Sequence, residues 1–372
     1  MSMVMAVMRK LLKNLDWVLL LATVILVIVG ILLVYSATHM KGDDPWAFVK
    51  ARLFHLTLGV LAMAFIILID YHALARQWVL LYVGNLLALL IVLVIGRETQ
   101  GAQRWISLGF LGTIQPSEFA KVSLIVTLAT HLSARRGPYR RLRELVPFLL
   151  HAGVPMILII QQPDLGTALV YLAILFGMLY AAGAEPRPIL GVAGVGLALS
   201  PVLWHFLKDY QRARLLAFLD PLKDPLGAGY AIIQSKIAIG SGQIFGKGYL
   251  HGTQTMLQFV PEHHTDFIFT VVGEELGFVG AVVVLFVFLV WLWRGLAISM
   301  EARDTLGMLI AVGVTSMMAF HVFVNVGMTI GLMPITGIPL PFLSHGGSAL
   351  VTALTATGLL LNVWMRRKKI WF

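Results

Sequence analysis

A chain of 372 residues that is 59% hydrophobic and only 12% charged has too little charge for a soluble domain, and its long apolar runs mark an integral membrane protein. The formal net charge of +10 does not indicate nucleic acid, because the basic residues cluster at the ends of apolar runs rather than on one amphipathic face, which is the pattern of membrane orientation. The absence of cysteine excludes disulfides and decides nothing about compartment.

Apolar runs of roughly spanning length follow one another at Leu15 to Tyr35, Leu53 to Ile69, Trp78 to Ile95, Pro116 to Leu132, Leu145 to Ile160, Leu165 to Ala182, Ile189 to Leu207, Phe267 to Trp293, Leu306 to Gly331 and Ser348 to Trp364. They predict an all-α polytopic membrane protein of about ten transmembrane helices, forming a single integral membrane domain over residues 1–372. The first run follows Arg9, Lys10 and Lys13 and so imitates a secretory signal, but it is too long for one and lacks a small-x-small cleavage site. Ten spans put both termini on one side. Sixteen of the 28 Lys and Arg residues fall on that side, including Arg135 to Arg143 and Arg366 to Lys369, and eleven on the other, so the termini read as cytoplasmic.

The connections differ in character. Residues 97–118, RETQGAQRWISLGFLGTIQPSE, read as an interfacial segment through their tryptophan and amphipathic pattern. The stretch MPITGIPLPFLSHGG has too many Pro and Gly for regular helix yet stays apolar, which fits a re-entrant loop buried in protein. Between the seventh and eighth runs lies one large loop, 208–265, read as extracytoplasmic. A loop of this length is functional or disordered, and its apolar recurrence at Ile232, Ile233, Ile237, Ile239, Leu257 and Phe259 argues for order.

Charges inside a span cost about 2.5–3.5 kcal/mol each, so they are paired or functional. Glu118 and Lys121 share a helix face at i and i+3; an ion pair that fixes packing and a direct contact with a charged head group both stay open. Asp164 follows a proline and reads first as a helix cap. Glu274 and Glu275 read as facing solvent or a cytoplasmic partner ahead of binding a metal. In the loop, Gly240, Gly242, Gly246 and Gly248 with Lys236 and Lys247 allow backbone approach to a phosphate, but they lack P-loop spacing and turns are the default. Arg212, Arg214 and Lys236 are able to neutralise a pyrophosphate or to meet lipid head groups. The run PEHHTDF sets Glu262, His263, His264 and Asp266 at the mouth of a span without any zinc spacing; Asp266 is either a cap or a general base for a hydroxyl acceptor.

Taken together, these motifs resemble the SEDS family of polytopic membrane proteins (shape, elongation, division and sporulation). The match covers almost the whole chain: GAQRW at 101–105, QPSE with Lys121, QPDLGT from 162, DYQRARLL from 209, DPLGAGYAIIQSKIAIGSG from 224, HTDFIF from 264 and PLPFLSHGGS from 339. GKGYLHGTQT is similar to the elongation branch rather than the division branch. The resemblance implies a peptidoglycan glycosyltransferase that polymerises lipid II at the outer face of the bacterial cytoplasmic (inner) membrane. It also implies a class B penicillin-binding protein as cross-linking partner, within the elongation machinery. It maps the family's essential loop aspartate onto Asp266, and further important positions onto Arg104, Glu118, Lys121, Asp164 and Lys236. His345 departs from the pattern where tyrosine is common, and His263 where arginine or alanine is common.

That chemistry needs a groove for the lipid, positive charge for the leaving pyrophosphate, to which Arg212, Arg214 and Lys236 are suited, and a base. A divalent cation, Mg²⁺ or Mn²⁺, could share the pyrophosphate charge, although no ligand cage is evident. Two other readings stand beside the enzyme: a lipid II flippase using the intramembrane charges, and a non-catalytic scaffold of the elongation machinery.

Overall fold

The computed structural model describes residues 14–41, 43–99, 102–107, 109, 112–135 and 137–367. Arg9, Lys10, Lys13, Arg136, Lys368 and Lys369, which entered the charge count, lie outside the described residues, as does Gly101 of the GAQRW motif. The helices in chain order are α1 (Trp17–Thr38), α2 (Ala47–Leu68), α3 (Tyr71–Arg76), α4 (Trp78–Ile95), α5 (Pro116–Ala134), α6 (Leu142–Gln161), α7 (Leu165–Ala181), α8 (Pro186–Ala198) and α9 (Ser200–Phe206). There follow α10 (Asp209–Leu219), α11 (Tyr230–Ser241), α12 (Thr253–Met256), α13 (Ile268–Met300), α14 (Thr305–Thr329) and α15 (Gly347–Met365).

Among the described residues, seven helices are long and apolar enough to cross a membrane: α1, α2, α4, α6, α13, α14 and α15. The other three expected spans differ for physical reasons. At 19 residues α5 is long enough, but it carries Glu118, Lys121 and several hydroxyls. With 17 residues α7 is short. The run from Ile189 is two helices, α8 and α9, broken at Leu199 where Pro201 supplies no N–H to continue the ladder.

The most enclosed helices are α14, with 16 of 25 residues buried, and α15, with 14 of 19. They therefore form the centre against which α2, α5, α7 and α13 pack. Small residues allow the close approach. A side chain added at Gly177 of α7 would strike Ser316, and one at Gly295 of α13 would strike Thr315, as expected where helices associate in lipid. At one end of α1, Asp16 caps the helix by accepting from Leu19 N at 2.9 Å and also pairs with Arg294 of α13.

The segment at 97–118, expected at the membrane interface, holds a three-stranded antiparallel ribbon of β1 (Arg97–Thr99), β2 (Ala102–Ser107) and β3 (Thr113–Ile114), in which Arg97 faces Trp105 and Ile106 faces Ile114. Its Thr, Trp and Ile residues suit a pleated surface better than a helix.

Residues 208–265 are ordered, as the apolar recurrence predicts, but the buried stripe of α11 is Ile232, Ser235 and Ala238, while Ile237 is exposed. The hydroxyl of Ser235 donates to the Thr329 carbonyl at 2.6 Å and joins α11 to α14. Glu274 and Glu275 do not face solvent. They are buried in a π-helical turn, Val272–Leu276, at the start of α13. Glu274 accepts from Lys247 Nζ at 2.7 Å, Gln254 N at 2.8 Å and Thr255 N at 3.0 Å, so one carboxylate fastens residues 247–255 to the span. The loop glycines serve the same contact. A Cβ at Gly242 or Gly246 would collide with the carbonyls of Gly273 and Glu275, and Gly246 adopts φ +81°.

Candidate active site

Two irregular segments meet at the head of the bundle: residues 262–266, which precede α13, and residues 331–346, between α14 and α15. Away from water, each carbonyl in such a segment needs a donor. Asn325 of α14 supplies its amide to the carbonyls of Asp266 and Ile338, both at 2.8 Å. Ser344 donates to the Thr265 carbonyl at 2.6 Å, and the His345 N–H to the His264 carbonyl at 2.8 Å. From α2, the buried guanidinium of Arg52 donates to the carbonyls of Phe342 and Ser344. The re-entrant stretch read in the sequence is thus irregular, and it is knotted to the segment that carries Asp266.

A cavity of about 250 Å³ opens between these segments and is lined, among others, by Asp266, Glu262, Arg104, Arg214, Tyr210 and His345. Arg104 comes from β2. Its guanidinium donates to the carbonyls of Pro163 and, at 3.3 Å, Gln162, and lies 3.7 Å from the Asp164 carboxylate. Asp164 caps α7, accepting from Thr167 N at 3.1 Å and Thr167 Oγ1 at 2.9 Å, and it also accepts from Gln115 Nε2 at 3.1 Å. It stands behind Arg104 rather than in the cavity. Arg214 is carried by α10, one turn after Tyr210, whose hydroxyl donates to the Pro163 carbonyl at 3.0 Å.

Burial pushes the Asp266 carboxyl up to about 6. The charges of Arg214 and Arg104 oppose the rise, and those of Glu262 and Asp164 add to it. The group is ionised at neutral pH and is more basic than a free aspartate. His264 and His345 are held down, to about 4 and about 3, chiefly by burial.

Glu118 and Lys121 lie beneath the cavity, and Pro339 and Ala349 line both the cavity and the space around the pair. Lys121 Nζ donates to Glu118 Oε1 at 2.7 Å and lies 3.0 Å from Nε2 of His321 in α14. His321 Nδ1 faces the Met317 carbonyl at 2.8 Å, so that nitrogen carries the proton and Nε2 accepts from the lysine. Two expected residues are elsewhere. Arg212 folds back to donate to the carbonyls of Trp204 and His205, at 3.1 and 2.9 Å, and so fixes α10 to the end of α9. Lys236 is exposed on α11 and lies over Gly331.

Sequence reasoning missed Gln115, Tyr210, His321, Asn325, Ser344 and Arg52. Histidine and asparagine inside a span carry the same signal as a charge, so His321 and Asn325 were open to the rule that picked out Glu118 and Lys121.

An apolar groove of about 510 Å³ runs along α4 and α5, lined among others by Leu80, Leu81, Phe119 and Leu359. Ile114 and Pro116 line it, and Gln115 between them lines the cavity, so groove and cavity adjoin. Among the described residues, no group of three or more metal-ligating side chains occurs.

An acid and two guanidinium groups share the cavity, and an apolar groove adjoins it, in a protein whose described residues include seven helices long and apolar enough to cross a membrane. The family described as "Cell cycle protein" (FTSW_RODA_SPOVE) matches residues 15–369, and the chain belongs to it. It is similar to peptidoglycan glycosyltransferase MrdB of Escherichia coli K12, 40% identical over 367 residues, covering 96% of this chain and 95% of the relative. Stage V sporulation protein E of Bacillus subtilis 168 is 40% identical over 361 residues, covering 94% and 96%. The probable peptidoglycan glycosyltransferase FtsW of Geobacter sp. M18 is 39% identical over 363 residues, covering 95% and 97%.

Among solved structures, the chain superposes on one from a peptidoglycan synthase complex that coordinates polymerization and crosslinking, with a TM-score of 0.79, 32% identity and coverage of 96% and 99%. It superposes on the rod shape determining protein RodA of Thermus thermophilus with a TM-score of 0.72, 30% identity and coverage of 96% and 98%.

Proposed function

We propose that the protein is a peptidoglycan glycosyltransferase that polymerises lipid II into glycan strands during cell elongation. The observation that carries this reading is the sharing of one cavity by Asp266, Arg104 and Arg214 beside an apolar groove. Lipid II has a polyprenyl chain, a pyrophosphate and a disaccharide, and the groove, the arginines and the rest of the cavity match them in that order. As the acceptor hydroxyl oxygen bonds to the anomeric carbon of the donor sugar, its proton passes to Asp266. The bond from that carbon to the pyrophosphate oxygen breaks, and its electron pair leaves with the pyrophosphate, whose charge Arg104 and Arg214 stabilise. Asp266 and Glu262 also match the one or two carboxylates with which Mg²⁺ is usually held beside substrate phosphates; that ion, or Mn²⁺, would neutralise pyrophosphate charge.

Asp164 acts by orienting Arg104. Glu118 and Lys121 act by supporting the cavity floor, and Arg212 acts by holding α10, which carries Arg214, against the end of α9. In the membrane, α5, α7 and the α8–α9 pair join the seven longer helices to make ten spans of one domain, with both termini cytoplasmic and residues 208–265 outside. The partner is a class B penicillin-binding protein of the elongation machinery, in keeping with the GKGYLHGTQT resemblance and with the likeness to a chain from a synthase complex. A flippase would pass a head group along the intramembrane charges, but the space beside Glu118, Lys121 and His321 is about 10 Å³, room for about one water.

The test is strand formation from lipid II by the purified protein with its partner, lost in Asp266→Asn. Transfer of lipid II across vesicles by a protein that forms no strands would favour the flippase. Equal strand formation by Asp266→Asn would remove the aspartate from the mechanism.

A further inference from the structure

The arginines reach the cavity from β2 and α10, whereas His345 enters from the segment before α15, which packs on α2. The His345 ring meets Phe48 edge-on with centroids 5.1 Å apart and lies 6.1 Å from the ring of His264. Its Nδ1 is buried and, among the described residues, has no hydrogen-bond partner. The residue nevertheless keeps part of its surface and lines the Asp266 cavity, so the ring nitrogen left to meet a ligand is Nε2. A neutral imidazole has one N–H and one lone pair. With Nδ1 sealed, the tautomer whose N–H an acceptor can reach is the one protonated at Nε2. Burial, reinforced by the charges of His264, Arg52, His55 and Lys41, holds His345 at about 3, so the ring is uncharged at neutral pH.

An uncharged donor is a poor clamp for phosphate, a task for which Arg104 and Arg214 are better suited. It suits a neutral oxygen instead. Resting on the glycosyltransferase reading, we propose that His345 donates its Nε2–H to a hydroxyl or acetamido oxygen of the substrate's saccharide, so that sugar and pyrophosphate are recognised from different segments of the fold.

Kinetics of lipid II polymerisation by the protein with its partner test this. His345→Phe keeps a ring against Phe48 and removes the donor; KM should rise about tenfold, the upper worth of one neutral hydrogen bond, while kcat stays within about threefold. His345→Gln restores an N–H and should recover most of the loss. A readout that packing alone would not move is the affinity for two lipids. Lipid II should bind the His345→Phe protein about tenfold more weakly than the parent, and undecaprenyl pyrophosphate, which has no sugar, should bind both equally. An unchanged KM in His345→Phe, no recovery in His345→Gln, or an equal loss of affinity for the two lipids overturns the proposal. A wild-type protein that forms no strands would instead overturn the glycosyltransferase reading, and the comparison of the two lipids would still decide the role of His345.

Discussion

Replacing Glu118 with methionine tests how the ion pair beneath the cavity is held. Glu118 and Lys121 are 2.7 Å apart and only 4% and 1% exposed. At an effective dielectric of about 20 their attraction is about 6 kcal/mol. Withdrawing both groups from water costs several kcal/mol per ion, so the intact pair contributes little net stability. The single change is different in kind. It leaves the Lys121 ammonium enclosed, with His321 Nε2 at 3.0 Å as its remaining acceptor among the described residues, and breaking a buried pair from one side costs about 3–5 kcal/mol. Lys121→Met should cost a similar amount by stranding the carboxylate. The double change removes both charges and should recover most of the loss, because methionine fills irregular space. Polytopic proteins commonly unfold irreversibly, so the assay is the half-life of monodisperse protein at a fixed temperature in one detergent. The reasoning fails if both single variants last as long as the parent, or if the double variant is as short-lived as either.

Three further outcomes are expected. Because burial raises Asp266 from 3.8 to about 6, kcat/KM should fall about tenfold per pH unit below pH 6 as the base takes up its proton, and Asp266→Asn should abolish that limb with kcat lowered about 10²- to 10⁴-fold. Stability moves oppositely: a carboxyl raised on folding contributes only while protonated and loses that contribution as pH rises through about 6. Asp266→Asn should therefore be more stable at pH 7, by at most about 3 kcal/mol, with the gain gone near pH 4; equal stability at pH 7 would refute the shift. In this cysteine-free chain, a single cysteine at Gly240 should label from outside the cell and one at Arg303 only after permeabilisation, and the reverse pattern would invert the topology. Glu274→Ala removes the acceptor of the Gln254 and Thr255 N–H groups and leaves Lys247 bonded to Thr253 but not to the span, so residues 247–255 should become the first site of limited proteolysis; an unchanged cleavage pattern would show that other contacts hold them.

The helical bundle was legible because its signal is local. Lipid demands long apolar runs, and every run at which a helix was expected holds one, although the run from Ile189 breaks at Leu199. Asp266 was legible as a carboxylate at a span mouth and Arg214 as a basic loop residue, whereas Arg104 came only from the family resemblance; the structure brings the three to one cavity. The ribbon at 97–114 was not, because its pairing depends on partners several residues apart rather than on a repeat. Lys236 and Arg212 were grouped with Arg214 because all three are basic and lie in one loop. Their separation follows from helix geometry: two residues along α10 turn Arg212 about 200° away from the face that carries Arg214. Glu274 and Glu275 were misread as solvated, since adjacent carboxylates ordinarily repel burial. The donors that make burial tolerable come from residues 247–255 for Glu274 and from Ser36 of α1 for Glu275.

Three of the residues that escaped the sequence reading share one role, and it bears on the proposed work of Asp266 as a base. Asn325, Ser344, Arg52 and the backbone of His345 all bond to main-chain carbonyls of the two irregular segments. Asp266 is thereby held through its carbonyl, while among the described residues its carboxylate accepts no hydrogen bond that would stabilise the charge. A carboxylate fixed by its own hydrogen bonds would have a lowered pKa and be a poorer base. Anchoring the backbone instead fixes the position of the group and leaves its lone pairs open to a substrate hydroxyl. The cost is a charge kept ionised in a partly closed cavity, relieved by Arg214 and Arg104 at a distance. Weakening the backbone anchor by Asn325→Leu should accordingly lower kcat without removing the acid limb of the pH profile. Loss of that limb would mean that Asn325 sets the basicity of Asp266 rather than its place.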